Sequence, residues 1–114
     1  MINILTLPLF DKKLKYYRKK NPFIIKDFSN LLDLLEKEPM PQNVIKLKEN
    51  TFKLRMKNSS SNRGKSGGYR VYYFYKNSKD TIILFYLHFK NDEVNINEDK
   101  LIELIKKCKL ELLD

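Results

Sequence analysis

RGKSGGYRVYYFY, from Arg63 to Tyr75, decides how the rest of the chain is arranged. Gly67 and Gly68 end a basic loop, and Tyr69 to Tyr75 is aromatic or β-branched apart from Arg70, so a strand is expected to open near Tyr69. Asn77-Ser78-Lys79-Asp80 carries turn chemistry, and TIILFYLHF, Thr81 to Phe89, reads as the returning strand of a hairpin. A cationic loop thereby stands at the mouth of the central strand pair.

Working outward, the period of the apolar residues changes twice. On the N-terminal side, Ile2 to Leu7 suits a short strand closed by Pro8, and Phe10 to Lys20 suits a helix with Leu14 and Tyr17 turned inward. Asn21-Pro22 reads as a helix cap and first position, and Ile24, Phe28, Leu31 and Leu35 form a stripe that runs until Pro39. Beyond Pro39-Met40-Pro41 the pattern alternates. Ile45 and Leu47 interleave with Lys46 and Lys48, then Phe52, Leu54 and Met56 with Lys53, Arg55 and Lys57. Because strand side chains point to opposite faces in turn, the second set buries three apolar groups and presents three cations on the other face. On the C-terminal side, Asn95-Ile96-Asn97-Glu98 resembles a cap, and Leu101, Ile105, Cys108 and Leu112 share one face of a last helix. The expected order is β-α-α-β-β-β-α. It predicts an α+β fold: an N-terminal strand and two-helix hairpin packed on a small, mainly antiparallel sheet, with a C-terminal helix, all in one domain over 1–114.

Composition narrows the chemistry. Seven Phe and seven Tyr can fill one core, but no run of some 18 apolar residues could cross a membrane, and Ile2 to Phe10 lacks the features of a signal peptide. A cytoplasmic protein is expected. One Cys and one His exclude an internal disulfide and a cluster of soft zinc ligands, so no metal or cofactor is implied. Cys108 is expected to be a buried small apolar residue. Walker, Rossmann, zincin and nucleophile-elbow patterns are all absent, and Gly64-Lys65-Ser66 lacks the upstream glycine and the following helix of a phosphate loop.

The net charge of +9 is concentrated. Val44 to Lys76 holds nine bases against Glu49 alone, and Lys12 to Lys20 holds six more, while the remainder is acidic. A polyanion is the partner that such a segregated field attracts. Arg70 is the one charge within an apolar strand, and few acids lie near it in sequence, so a phosphate is its expected partner. Whether Lys90 and His88 share its face depends on hairpin register: an odd loop brings Lys90 to Arg70, an even loop separates them away from a twisted strand end. His88 alone is weak support for catalysis. Asp92 and Glu93 are read as solvated loop acids, and Tyr72, Tyr73 and Phe74 as core, although exposed aromatics there could stack on bases.

Gly64-Lys65-Ser66-Gly67-Gly68-Tyr69-Arg70-Val71, the Tyr-rich strand, Ile82 to Leu87, Phe89-Lys90-Asn91-Asp92-Glu93 and Asn95-Ile96 together resemble the RelE/ParE toxin superfamily, closest to its HigB-type branch. Phe52-Lys53-Leu54-Arg55 is similar to a basic strand of that branch, and the resemblance spans roughly Thr51 to Leu112. It implies the toxin of a type II toxin–antitoxin pair, a metal-independent endoribonuclease that cuts ribosome-bound mRNA, with a helix-turn-helix antitoxin as partner. By position it implies that Arg70 binds the scissile phosphate, that Lys65 and Lys90 assist it, and that Lys53, Arg55, Lys57, Arg63 and Asn91 hold RNA. The arginine and tyrosine that RelE carries after that lysine are missing, with Asn91 next to it and Asn97 where the tyrosine is expected. The general acid and base are therefore unassigned, and His88 is the only imidazole available. A ParE-like inhibitor of DNA gyrase and a non-catalytic basic RNA-binding protein are the alternatives.

Overall fold

The structure is a computed structural model that describes residues 1–60 and 68–113. Arg63 and Lys65 lie outside the described residues, so no position is assigned to either. The elements run β1 (Asn3–Thr6), α1 (Pro8–Lys20), α2 (Ile24–Lys37), β2 (Ile45–Lys46), β3 (Thr51–Met56), β4 (Tyr69–Lys76), β5 (Thr81–Phe89) and α3 (Glu98–Glu111). The class is α+β, with one mixed five-stranded sheet in the order β1-β5-β4-β3-β2. Only β1 and β5 pair in parallel, and the two-helix excursion that the sequence pattern anticipates leads from β1 to β2 at the opposite edge of the sheet.

Helices cover both faces. On one, Phe10, Tyr17, Ile24 and Leu35 of α1 and α2 pack against inward residues such as Leu54 and Tyr73. On the other, Leu101, Leu104, Ile105 and Cys108 of α3 pack against Phe74, Ile83 and Phe85. Cys108 is fully buried, and burial pushes its thiol pKa up to about 12. A thiol held protonated in an apolar layer is a packing group. Tyr72, Tyr73 and Phe74 are buried as expected, so none of them offers a ring face to a base.

Three local expectations change. Pro8 does not close β1; it is the first residue of α1, where a missing N–H costs nothing because that position has no intrahelical acceptor. Asn21 does not cap α2, which starts at Ile24 after Phe23 with no side-chain cap. Its amide instead donates to the Tyr69 hydroxyl at 2.9 Å and to Asn58 Oδ1 at 3.1 Å, tying the helical layer to the start of β4. A further two-residue strand, β2, extends the sheet beyond the expected four strands by pairing Ile45 with Lys53 and Lys46 with Phe52. At the other end of the chain the cap is as expected, with Asn97 accepting from the Lys100 N–H.

The β4–β5 hairpin contains the detail on which the site depends. Lys76 pairs with Thr81 across a four-residue connection, Asn77 to Asp80, in which Asp80 takes a left-handed conformation at φ 47°. That even count alone would set Arg70 opposite Leu87. A bulge intervenes: Tyr73 pairs with Leu84 but Tyr72 with Tyr86, so β5 carries one extra residue and every later side chain changes face. His88 becomes the partner of Arg70, and Lys90 continues the same face, its N–H donating to the Gly68 carbonyl at 2.9 Å.

Candidate nucleic-acid interface

α3 covers only part of its face of the sheet. Beyond it lies a row across three strands, Arg55, Arg70 and His88, with Lys53, Tyr72 and Tyr86 in the row beneath. Arg55 is exposed and Arg70 half-buried. Among the described residues neither makes an ion pair; the Arg70 guanidinium has one hydrogen bond, from Nη1 to the Tyr69 carbonyl at 3.3 Å. Two adjacent arginines facing the same way repel each other, and an anion between them removes that repulsion. Lys53, Arg55, Arg70 and Lys90 line one open recess of about 470 Å3. The strand alternation and the bulge are what bring them together.

Gly68 lies against Arg55 and lines a neighbouring recess. A Cβ built there would stand 3.1 Å from Arg55 Nε and 3.1 Å from the Met56 carbonyl oxygen, so the Arg55 side chain lies across bare backbone. Lys57, the third cation of the alternation, is exposed just past β3 and faces a neighbouring recess with Asn58 and Glu38. Asn91 is exposed in the turn after β5 and does not line the four-cation recess.

His88 sits beneath this surface, fully buried. Its Nδ1 donates to the Phe89 carbonyl at 3.0 Å, which leaves Nε2 to accept from the Tyr72 hydroxyl at 3.0 Å. The same hydroxyl accepts the Ile96 N–H at 3.1 Å. Burial holds the imidazole pKa below its usual value, with the Phe89 carbonyl and Glu93 pulling the other way and Lys13 and Arg70 adding to the depression. A neutral ring with both nitrogens occupied orients Tyr72 and the chain at Ile96; it does not face the recess.

One wall of the recess is the segment between β5 and α3, and it is held by groups that sequence reasoning left in solvent. The Tyr17 hydroxyl accepts the Phe89 N–H at 2.9 Å and donates to Asp92 at 2.8 Å. The Tyr86 hydroxyl donates to Glu93 at 2.8 Å, Lys13 Nζ lies 3.9 Å from Glu93 and 4.7 Å from the centre of the Tyr86 ring. Burial raises both tyrosine pKa values, so both remain donors at ordinary pH. Lys53 Nζ donates to Asn95 Oδ1 at 2.8 Å across the recess. Asn43, Ile45 and Val94 complete the lining, and none of them was singled out by sequence reasoning. The parity of Ile45 with Lys53 was the available signal, since paired residues share a face. The chain just past β3 is anchored as well: buried Asp27 accepts the Ser59 N–H at 2.9 Å.

Comparison with protein-family models finds no match to this chain, and comparison with curated proteins finds none either. Among the described residues there is no group of three or more metal-ligating side chains, and no helix is long and apolar enough to cross a membrane.

Proposed function

We propose that this chain is a RelE/ParE-like toxin of the HigB type: an endoribonuclease that cuts mRNA on the ribosome and is neutralised by a helix-turn-helix antitoxin. The observation that carries the reading is the Arg55–Arg70 pair, with no carboxylate partner among the described residues, in a recess shared with Lys53 and Lys90. Cleavage of RNA by its own 2′-hydroxyl requires in-line placement and stabilisation of the extra negative charge that develops on the phosphate. Fixed guanidinium groups supply both, and the general electrostatic hold on the RNA backbone comes from the same cations. The motif resemblance from Gly64 to Ile96 supports the same assignment, with Arg70 on the scissile phosphate and Lys65 and Lys90 assisting.

The binding-only alternative is favoured by one observation: among the described residues, those lining the recess include neither a carboxylate nor an imidazole. The test that separates the readings is primer extension on mRNA in a translating extract, with and without the protein, followed by end-group analysis. Cuts confined to translated messages, with a 5′-hydroxyl and a 2′,3′-cyclic or 3′-phosphate, are expected. Intact mRNA with the protein bound to RNA selects the binding-only reading. Intact mRNA with trapped DNA gyrase selects a ParE-like activity.

A further inference from the structure

The cationic recess has a second chemistry at its rim. Ile45 on β2 is 54% exposed and Val94 is 87% exposed, and both line the same recess as Arg70 and Lys53. Exposed aliphatic side chains are ordinary when scattered, but here two of them border a cluster of four cations. Two asparagines lie beside them. Lysine has only donors, so the Lys53 contact fixes Asn95 with Oδ1 inward and both amide N–H groups without a partner among the described residues. The Asn43 amide makes no hydrogen bond with any described residue, leaving its NH2 donors and its oxygen acceptor available. The recess thus combines guanidinium and ammonium groups that suit phosphate, aliphatic surfaces that suit the flat face of a base, and amides that suit a base edge.

We propose that Asn43, Ile45, Val94 and Asn95 form a base-reading subsite for one unpaired nucleotide whose phosphate lies on Arg55 and Arg70. The inference rests on the RNA reading above and adds to it a substrate form, single-stranded, and a source of base preference. A recess of this size accommodates one small ligand. A paired base has its Watson–Crick edge occupied and both faces stacked, so it could meet neither the amides nor the aliphatic rim. Asn43, with both donors and an acceptor, accepts several bases. Its acid counterpart would present only acceptors, which suits the two adjacent donors of guanine.

Fluorescence anisotropy at one fixed salt concentration tests this, using 2′-O-methyl oligonucleotides of about eight nucleotides so that no cleavage can occur. The probes are single strands rich in each base and a blunt duplex of equal length. Single strands are expected to bind about tenfold tighter than the duplex. Ile45→Ala and Val94→Ala should each weaken the single strand by about three- to tenfold and leave the duplex unchanged, and Asn43→Asp should move the preference toward guanine. All three positions are exposed, and circular dichroism melts check that each variant folds. Equal affinity for duplex and single strand, or rim variants and Asn43→Asp indistinguishable from the parent while Arg55→Ala/Arg70→Ala loses binding, overturns the subsite alone. Failure of the parent to bind any probe, or full binding by the double arginine variant, overturns the RNA reading and the subsite with it.

Discussion

Arg70 and His88 are partners in register, yet only the guanidinium reaches solvent. Their variants should therefore fail in different ways. Arg70→Ala should fold normally and lose mRNA cleavage by a factor of about 10² to 10³, since removing one group that stabilises transition-state charge costs about 3–4 kcal/mol. Measured cleavage within tenfold of the parent would remove Arg70 from the chemistry. Tyr72→Phe should act on stability instead. It strips a partner from the buried Nε2 of His88 and from the Ile96 N–H, a loss of about 1–3 kcal/mol readable by urea denaturation. The pH dependence follows from the depressed imidazole. Because His88 binds a proton less readily folded than unfolded, the unfolded state holds more protons just below the ordinary value, and stability rises with pH there. The His88 contribution should be intact near pH 7.5 and fall as pH drops below about 6.5. With one histidine in the chain, an NMR imidazole titration reports this group alone, and a midpoint at or above the usual value would contradict the buried neutral ring.

At the scale of elements, the wall between β5 and α3 is fastened by tyrosine–carboxylate hydrogen bonds in place of regular structure. Tyr17 of α1 holds both Phe89 and Asp92, so a helix on the far face of the sheet fixes the edge of the recess. Tyr17→Phe should leave the secondary structure intact and cost about 1–3 kcal/mol. Hydrogen exchange should quicken first at residues 89–95, because the Phe89 N–H loses its acceptor while the rest of the β4–β5 ladder keeps its partners. Uniform quickening across the sheet would show instead that the tyrosine supports the core as a whole. The two tyrosines explain why Asp92 and Glu93 look like idle loop acids in the sequence: their partners lie 75 and 7 positions away, and no local pattern joins them.

Over the whole molecule, charge should set binding strength. If Lys53, Arg55, Arg70 and Lys90 each meet a phosphate, log affinity for single-stranded RNA should fall with log salt at a slope of about −3, and Arg70→Ala should flatten it by about 0.7. A slope near zero would mean that the four cations do not hold the backbone. The cations on β3 and β4 were legible in the sequence because strict alternation in Phe52 to Lys57 and the single charge in Tyr69 to Tyr75 declare their faces. The helices were legible from their stripes, with errors at Pro8, which suits a first helical position as well as a strand end, and at Asn21, whose amide is held by distant Tyr69 and Asn58. The bulge was not legible, since Ile83 to Leu87 is apolar on both sides and no polar residue marks which face it serves. That extra residue also carries a consequence for heredity. Because Phe85 is the residue that the ladder skips, an in-frame deletion of its codon would straighten β5 with His88 still opposite Arg70, whereas one residue inserted after Tyr86 would keep nearly the same composition, hydropathy and charge yet move His88 and Lys90 to the other face. In a library of single-codon insertions and deletions, β5 should therefore keep its register on loss of Phe85 and lose function when a residue is added between Tyr86 and His88. The lineage can drift in letters along this strand far more freely than it can gain residues.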